Sequence, residues 1–191
     1  MTEARRRSGT RDKIQSVALE LFAEQGYEKT SLREIAERLG VTKAALYYHF
    51  PTKDDIVASL FDDFLGEVDQ IIDWAGDQVV DASIRKEIVH RYAAVLITGS
   101  GAAMLQFVHG NQSAVRDLKH SSRLFDRFRT LNRLLTDPNA ALADQIKSNM
   151  ALAMLHIGTF GPMEVAASTA ERQAAALEVA LELISAPGNE S

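Results

Sequence analysis

Apolar residues recur every three or four positions along nearly the whole chain, and no stretch alternates apolar and polar residues between turn signals. That pattern predicts an all-α fold. Ile14, Val17, Ala18, Leu21 and Phe22 form one stripe that stops at Gly26, which predicts a first helix over about 10–25. Ser31-Leu32-Arg33-Glu34 reads as a capping box opening a second helix, with Leu32, Ile35, Ala36 and Leu39 facing inward and Gly40 ending it. Thr42 caps a third helix of barely two turns through Tyr48, and Pro51 disfavours its continuation past Phe50. A long fourth helix begins at Thr52, with Asp54 and Asp55 at the positive end of its dipole, and runs to about Trp74. Further helices are predicted near 82–97, 101–109, 113–135, 138–158 and 170–185, divided by Gly76, Gly99-Ser100-Gly101, Gly110, Asp137-Pro138 and Gly161-Pro162.

The two short helices joined by Gly40-Val41 fit a helix-turn-helix, in which the glycine permits the sharp turn and Val41 plugs the joint. In the second of them only Leu46 and Phe50 are plainly core-facing, which leaves the rest exposed. Small Ala44 and Ala45 let such a helix sit close to the floor of a major groove, Lys43 can reach guanine O6 and N7, and the tyrosines, His49 and Lys53 can reach phosphates. Adjacent tyrosines point about 100° apart, so at least one of Tyr47 and Tyr48 is expected to face out of a two-turn helix.

Charge separates the same region from the rest. Residues 1–53 hold ten Lys and Arg against seven Asp and Glu, a net of +3, and residues 54–191 hold eleven against nineteen, a net of −8. A boundary near residue 53 therefore divides a basic domain, 1–53, from an acidic one, 54–191. Arg5, Arg6 and Arg7 precede the first helix and read either as a basic arm for phosphates or a minor groove, or as a solvated tail. No apolar stretch follows them, so no secretory leader is expected. The most apolar window, 140–160, is interrupted by Asp144, Lys147 and Asn149, which argues against a membrane span. The absence of cysteine excludes disulfides and thiol chemistry and fits the reducing cytoplasm.

The run from Ser31 to Lys53, with Leu46-Tyr47-Tyr48-His49-Phe50 at its centre, resembles the N-terminal signature of TetR-family transcriptional repressors. The resemblance covers about residues 10–60. It implies an N-terminal three-helix domain with a helix-turn-helix and a larger C-terminal helical bundle for ligand binding and dimerisation. It further implies a homodimer that binds a palindromic operator in double-stranded DNA and releases it when a small-molecule ligand enters the C-terminal domain. Carried over by matching position, Thr42, Lys43, Ala44 and Tyr47 approach the bases, Tyr48, His49 and Lys53 hold phosphates, and Thr30 and Ser31 touch the backbone at the start of the preceding helix. Pro51 stands where some members carry a basic residue, so any phosphate contact made from there is missing.

From residue 54 onward no catalytic signature survives inspection. Gly99-Ser100-Gly101 is followed by Met104 where a dinucleotide fingerprint needs glycine, no G-x-S-x-G occurs, and His90, His109, His120 and His156 show no i, i+4 pairing. No enzyme, metal or cofactor is expected. Trp74, Val95, Met104, Phe107, Phe125 and Phe128 read either as core or as the lining of a cavity, and the family resemblance implies the cavity. Arg116, Lys119, Arg123, Arg127, Arg129 and Arg133 make 113–135 basic, read as a solvated or salt-bridged face ahead of an anionic-ligand site. Leu142, Ile146, Met150, Ala153 and Ile157 form one late stripe, and Leu177, Leu181 and Ile184 another among small alanines. They suit a four-helix dimer interface or the monomer's own core. Rival readings are a helical carrier or enzyme with a vestigial helix-turn-helix and a nonspecific architectural DNA binder.

Overall fold

The computed structural model describes residues 3–98, 100–111, 121–161 and 164–185, and every regular element among them is an α-helix. In chain order these are α1 (Glu3–Gln25), α2 (Leu32–Leu39), α3 (Lys43–His49), α4 (Lys53–Gly76), α5 (Ala82–Thr98), α6 (Ser100–Gly110), α7 (Ser121–Leu135), α8 (Leu142–Phe160) and α9 (Thr169–Ser185). Two expected boundaries differ. The backbone of Arg5, Arg6 and Arg7 is already helical, because arginine is a good helix former and no proline stands before Thr10, so the basic arm is the start of α1. Helix α8 begins at Leu142 rather than 138, since the Asp137 carboxylate accepts the Asn139 N–H at 2.8 Å and the Asp137 carbonyl accepts that of Ala140 at 3.1 Å, which holds a turn there. The expected start of the helix at 113, with Arg116 and Lys119, lies outside the described residues.

The chain divides into two compact units. The described residues up to Asp63, joined by those from Ala103 to 111, form the first; Phe64–Ala102 and those from Ser121 onward form the second. This differs from the boundary drawn at residue 53. The first half of α4 belongs with α1, where the buried Gln15 amide donates to Ser59 at 2.8 Å and to Asp63 at 2.7 Å, and Ile56, Val57 and Leu60 are buried beside them. Charge composition marks where the basic residues stop, which is not where the packing stops.

In the first unit Ile14, Ala18, Leu21 and Phe22 of α1, Leu32, Ile35 and Ala36 of α2, and Leu46 with Phe50 make the core, while Val17 and Leu39 of the same stripes are half-buried. The end of α6 returns to this unit. Phe107 packs edge-on against Phe22 and Tyr27, each at 5.6 Å between ring centres, and Asn111 accepts the Tyr27 N–H at 2.9 Å while donating to the Phe107 carbonyl at 3.0 Å.

The second unit is a helical bundle in which α5 packs on α7, α8 and α9, and α8 packs along α9. Its core draws on Phe64, Leu65 and Val68 of α4, Ile88, Val89, Tyr92 and Leu96 of α5, Leu131 and Leu135 of α7, and Ala151, Leu152 and Leu155 of α8. The approach of α8 to α9 depends on Gly158. A Cβ at that position would lie 2.2 Å from the Ala176 Cβ and 3.2 Å from the Arg172 carbonyl, so only glycine lets the two backbones come this close. Among the described residues no helix is long and apolar enough to cross a membrane.

Candidate nucleic-acid interface

Each end of the helix-turn-helix is fixed by local chemistry. Ser31 accepts the Glu34 N–H at 3.2 Å, and Glu34 reaches back to the Ser31 N–H at 2.7 Å, completing the capping box. The Ser31 hydroxyl and N–H, both donating to the Glu34 carboxylate, hold that carboxyl below the ordinary carboxylate range. Gly40 ends α2 with φ of +72°, a left-handed conformation that favours glycine, and its N–H and that of Val41 return to the last turn of the helix. Thr42 then caps α3 by accepting the Ala45 N–H at 3.2 Å.

With Leu46 and Phe50 buried, α3 turns its other side outward. Thr42, Lys43, Ala44, Ala45, Tyr47 and Tyr48 are all exposed, Tyr48 to 68%. Both tyrosines therefore face out, with the Lys43 ammonium 5.3 Å from the centre of the Tyr47 ring and the half-exposed His49 edge-on to Tyr48. Lys53 sits at the start of α4 with its ammonium 4.4 Å over the Tyr27 ring, donating to the carbonyls of Tyr27 at 2.6 Å and Glu28 at 3.3 Å. Tyr27 donates to Asp54, and burial together with that carboxylate raises the phenol's pKa. Arg11 lies 5.4 Å above the Phe50 ring and brings a further cation beside the end of α3.

Thr30 departs from its expected role. It is 2% exposed, and its hydroxyl donates to the carbonyls of Gly26 at 2.9 Å and Leu21 at 3.3 Å, so its side chain closes the α1–α2 turn and does not present itself to a phosphate. Ser31 is exposed, though its hydroxyl also donates to Glu34 at 2.7 Å.

The six residues read as cavity lining do not come together. Met104 and Phe107 are buried in the first unit, where aromatic packing on Phe22 and Tyr27 makes Phe107 core. Trp74 is covered by the Arg91 guanidinium at 3.9 Å, and Val95 presents its carbonyl to Gly101. Phe125 and Phe128 do line a groove of about 310 Å³ in the second unit, with Tyr92, Leu124, Ala153, His156 and Ile157. Neither Tyr92 nor the role of His156 was legible in the sequence, because the two meet across 64 positions.

The late apolar stripes divide by helix. On α8, Leu142, Ile146, Met150 and Ile157 are exposed, by 73%, 55%, 41% and 43%, while Ala151, Leu152 and Leu155 supply the inner face. Ala153 is half-buried between them, and on α9 Leu177, Leu181 and Ile184 are half-buried as well. Two residues of the basic face of α7 are salt-bridged: Arg127 pairs with Asp69 at 3.0 Å and Arg129 with Asp126 at 3.6 Å.

Residues 14–60, which hold the whole helix-turn-helix, match the sequence model described as bacterial regulatory proteins, tetR family. The chain is similar to the HTH-type transcriptional repressor KstR2 of Rhodococcus jostii, 30% identical over 129 residues that cover 65% of this chain and 62% of that one. It thus spans about three fifths of that relative's length. Over 53 residues, 28% of this chain and 25% of the other, it is 47% identical to the HTH-type transcriptional regulator AcrR of Shigella flexneri. Its fold is similar to that of Mycobacterium smegmatis AmtR, with a TM-score of 0.61 at 23% identity over 91% of this chain and 85% of that one. With the capping box, the left-handed Gly40 and the outward tyrosines of α3 in place, residues 14–60 form the DNA-binding domain shared by the tetR family of bacterial regulatory proteins, and the relatives that the chain resembles are transcriptional regulators.

Proposed function

We propose that the chain is a transcriptional repressor acting in the cytoplasm, which reads a palindromic operator in double-stranded DNA as a homodimer and leaves it when a small-molecule ligand enters the second unit. The observation that carries the reading is α3 itself. A helix of seven residues holds only Leu46 fully in the core and exposes Lys43, Ala44, Tyr47 and Tyr48 along one side, an arrangement with no use in packing and the shape that a major groove admits. Lys43, Thr42, Ala44 and Tyr47 approach base edges, and Tyr48, His49, Lys53 and the exposed Ser31 approach phosphates.

The homodimer is supported by the exposed stripe on α8, where Leu142, Ile146, Met150 and Ile157 set four large apolar side chains in water along one side of the helix, as an interface between copies requires. The repressor reading is supported by the relatives at 30% identity or above that are themselves repressors. Selection of bound duplexes from a random pool by the purified protein tests the proposal. An inverted repeat is the expected product, and a pool left without enrichment would refute it.

A further inference from the structure

The groove between α5, α7 and α8 has walls of Leu124, Phe125, Phe128, Ala153 and Ile157, and its polar groups are the Tyr92 hydroxyl and the His156 ring. Those two meet at 2.7 Å, and the Phe128 ring packs against both, 6.5 Å from Tyr92 and 5.6 Å from His156 between ring centres. Among the described residues neither has a second hydrogen-bond partner. A phenol and a neutral imidazole bring two polar hydrogens to the pair, and one of them lies between the rings. Whichever tautomer the imidazole adopts, the pair keeps one N–H or O–H to donate and one lone pair to accept.

Among the described residues no cation lines the groove. Burial lowers the His156 pKa to about 4 and raises that of Tyr92, so both are neutral at pH 7. Of the arginines on α5 and α7, Arg91 pairs with Glu87 and lies over the Trp74 ring, and Arg127 pairs with Asp69. An anion entering here would lose its hydration with no counter-charge in return.

Resting on the reading that the second unit holds an effector, we infer that this groove takes a neutral, largely apolar small molecule whose single hydroxyl or carbonyl group hydrogen-bonds to the Tyr92–His156 pair. Its volume of about 310 Å³ lies at the small end of the range for ligand pockets and suits a fused-ring compound.

The test is displacement of the neutral dye Nile red from the intact protein at pH 7.5 by 2-naphthol, 2-methylnaphthalene and 2-naphthoate. Naphthol should displace the dye about fivefold more effectively than methylnaphthalene, the worth of one hydrogen bond, and about tenfold more effectively than the charged naphthoate. Tyr92→Phe and His156→Phe should each abolish the naphthol preference and keep the dye, and Leu124→Trp should exclude dye and competitors alike. Naphthoate matching naphthol, a preference that survives both ring substitutions, or dye binding indifferent to Leu124→Trp would each overturn the proposal. Binding confined to a monomeric Ile146→Glu variant would overturn it too, since a second copy would then fill the groove. The two readings fail separately: operator affinity that ignores saturation of the groove counts against an effector there and leaves the hydrogen-bond preference standing.

Discussion

Lys53 donates two of its three ammonium hydrogens to the carbonyls of Tyr27 and Glu28, which leaves one for a phosphate. Lys43 makes no such bond and only leans over Tyr47. The two lysines should therefore separate in their effects. Lys43→Ala is expected to weaken the preferred operator by about 1–3 kcal/mol and relax its base preference with fold stability unchanged. Lys53→Ala should weaken all sequences alike, lower the slope of log affinity against log salt by about one phosphate per subunit, and also lower stability, by about 1–3 kcal/mol, as charged hydrogen bonds are lost. Salt titrations on two operators with urea unfolding read all of these, and identical behaviour of the two variants would sink the assignment. His156 makes a second case. Its pKa falls from 6.5 to about 4 on folding, so between those values the unfolded chain binds a proton that the folded chain refuses. Stability is thus lost as pH falls through that window, by up to about 3 kcal/mol. Urea midpoints at pH 7 and 4.5 should show the loss, and a His156→Phe variant should show that much less of it; equal losses would place the titrating group elsewhere.

Between helices the most sensitive contact is the crossing of α8 and α9. Gly158→Ala would set a methyl group on Ala176 in a space that cannot admit it, and overpacking of this kind destabilises by about 1–3 kcal/mol. Ala176→Gly removes the opposing methyl. The double variant should therefore be more stable than Gly158→Ala alone, and a double-mutant cycle in urea would show a coupling of favourable sign; simple additivity would mean that the helices part without penalty. Caps were the most legible local feature. The Ser31–Glu34 box was plain in the sequence, and the same S-x-x-E spacing at Ser168 and Glu171 was there to be read, with the Glu171 N–H on Ser168 Oγ at 3.2 Å and the Ser168 N–H on the Glu171 carboxylate at 2.8 Å. The Asp137 turn was harder, because a proline one residue later reads equally well as the first residue of a helix.

In the homodimer proposed above, two copies of α3 would have to enter successive major grooves about 34–36 Å apart, and the interface between copies would set that spacing. Ile146 is 55% exposed, so Ile146→Glu should leave the helical content of each chain unchanged. Sedimentation should show a monomer, and operator affinity should fall about a hundredfold or more with the loss of the second half-site. A monomer with undiminished affinity would show that dimerisation is dispensable, and an intact dimer would put α8 outside the interface.

Periodicity, caps and helix breakers were enough to read the all-α class, the order of the helices and the exposed side of α3. Each of these rests on neighbours within about four residues, where backbone geometry alone decides which side chains share a face. The stripe on α8 was legible for the same reason. What lay beyond reach were contacts across long separations: Phe107 returning to Phe22 and Tyr27, Gln15 tying the first half of α4 to α1, Thr30 folded under its own turn, and Tyr92 meeting His156. An apolar residue reads the same whether it ends in a core or on a cavity wall, because hydrophobicity records that a side chain leaves water and not which partner it meets. That choice is made only when helices pack, and here it moved Phe107 into the core and left His156 and Tyr92 facing the groove.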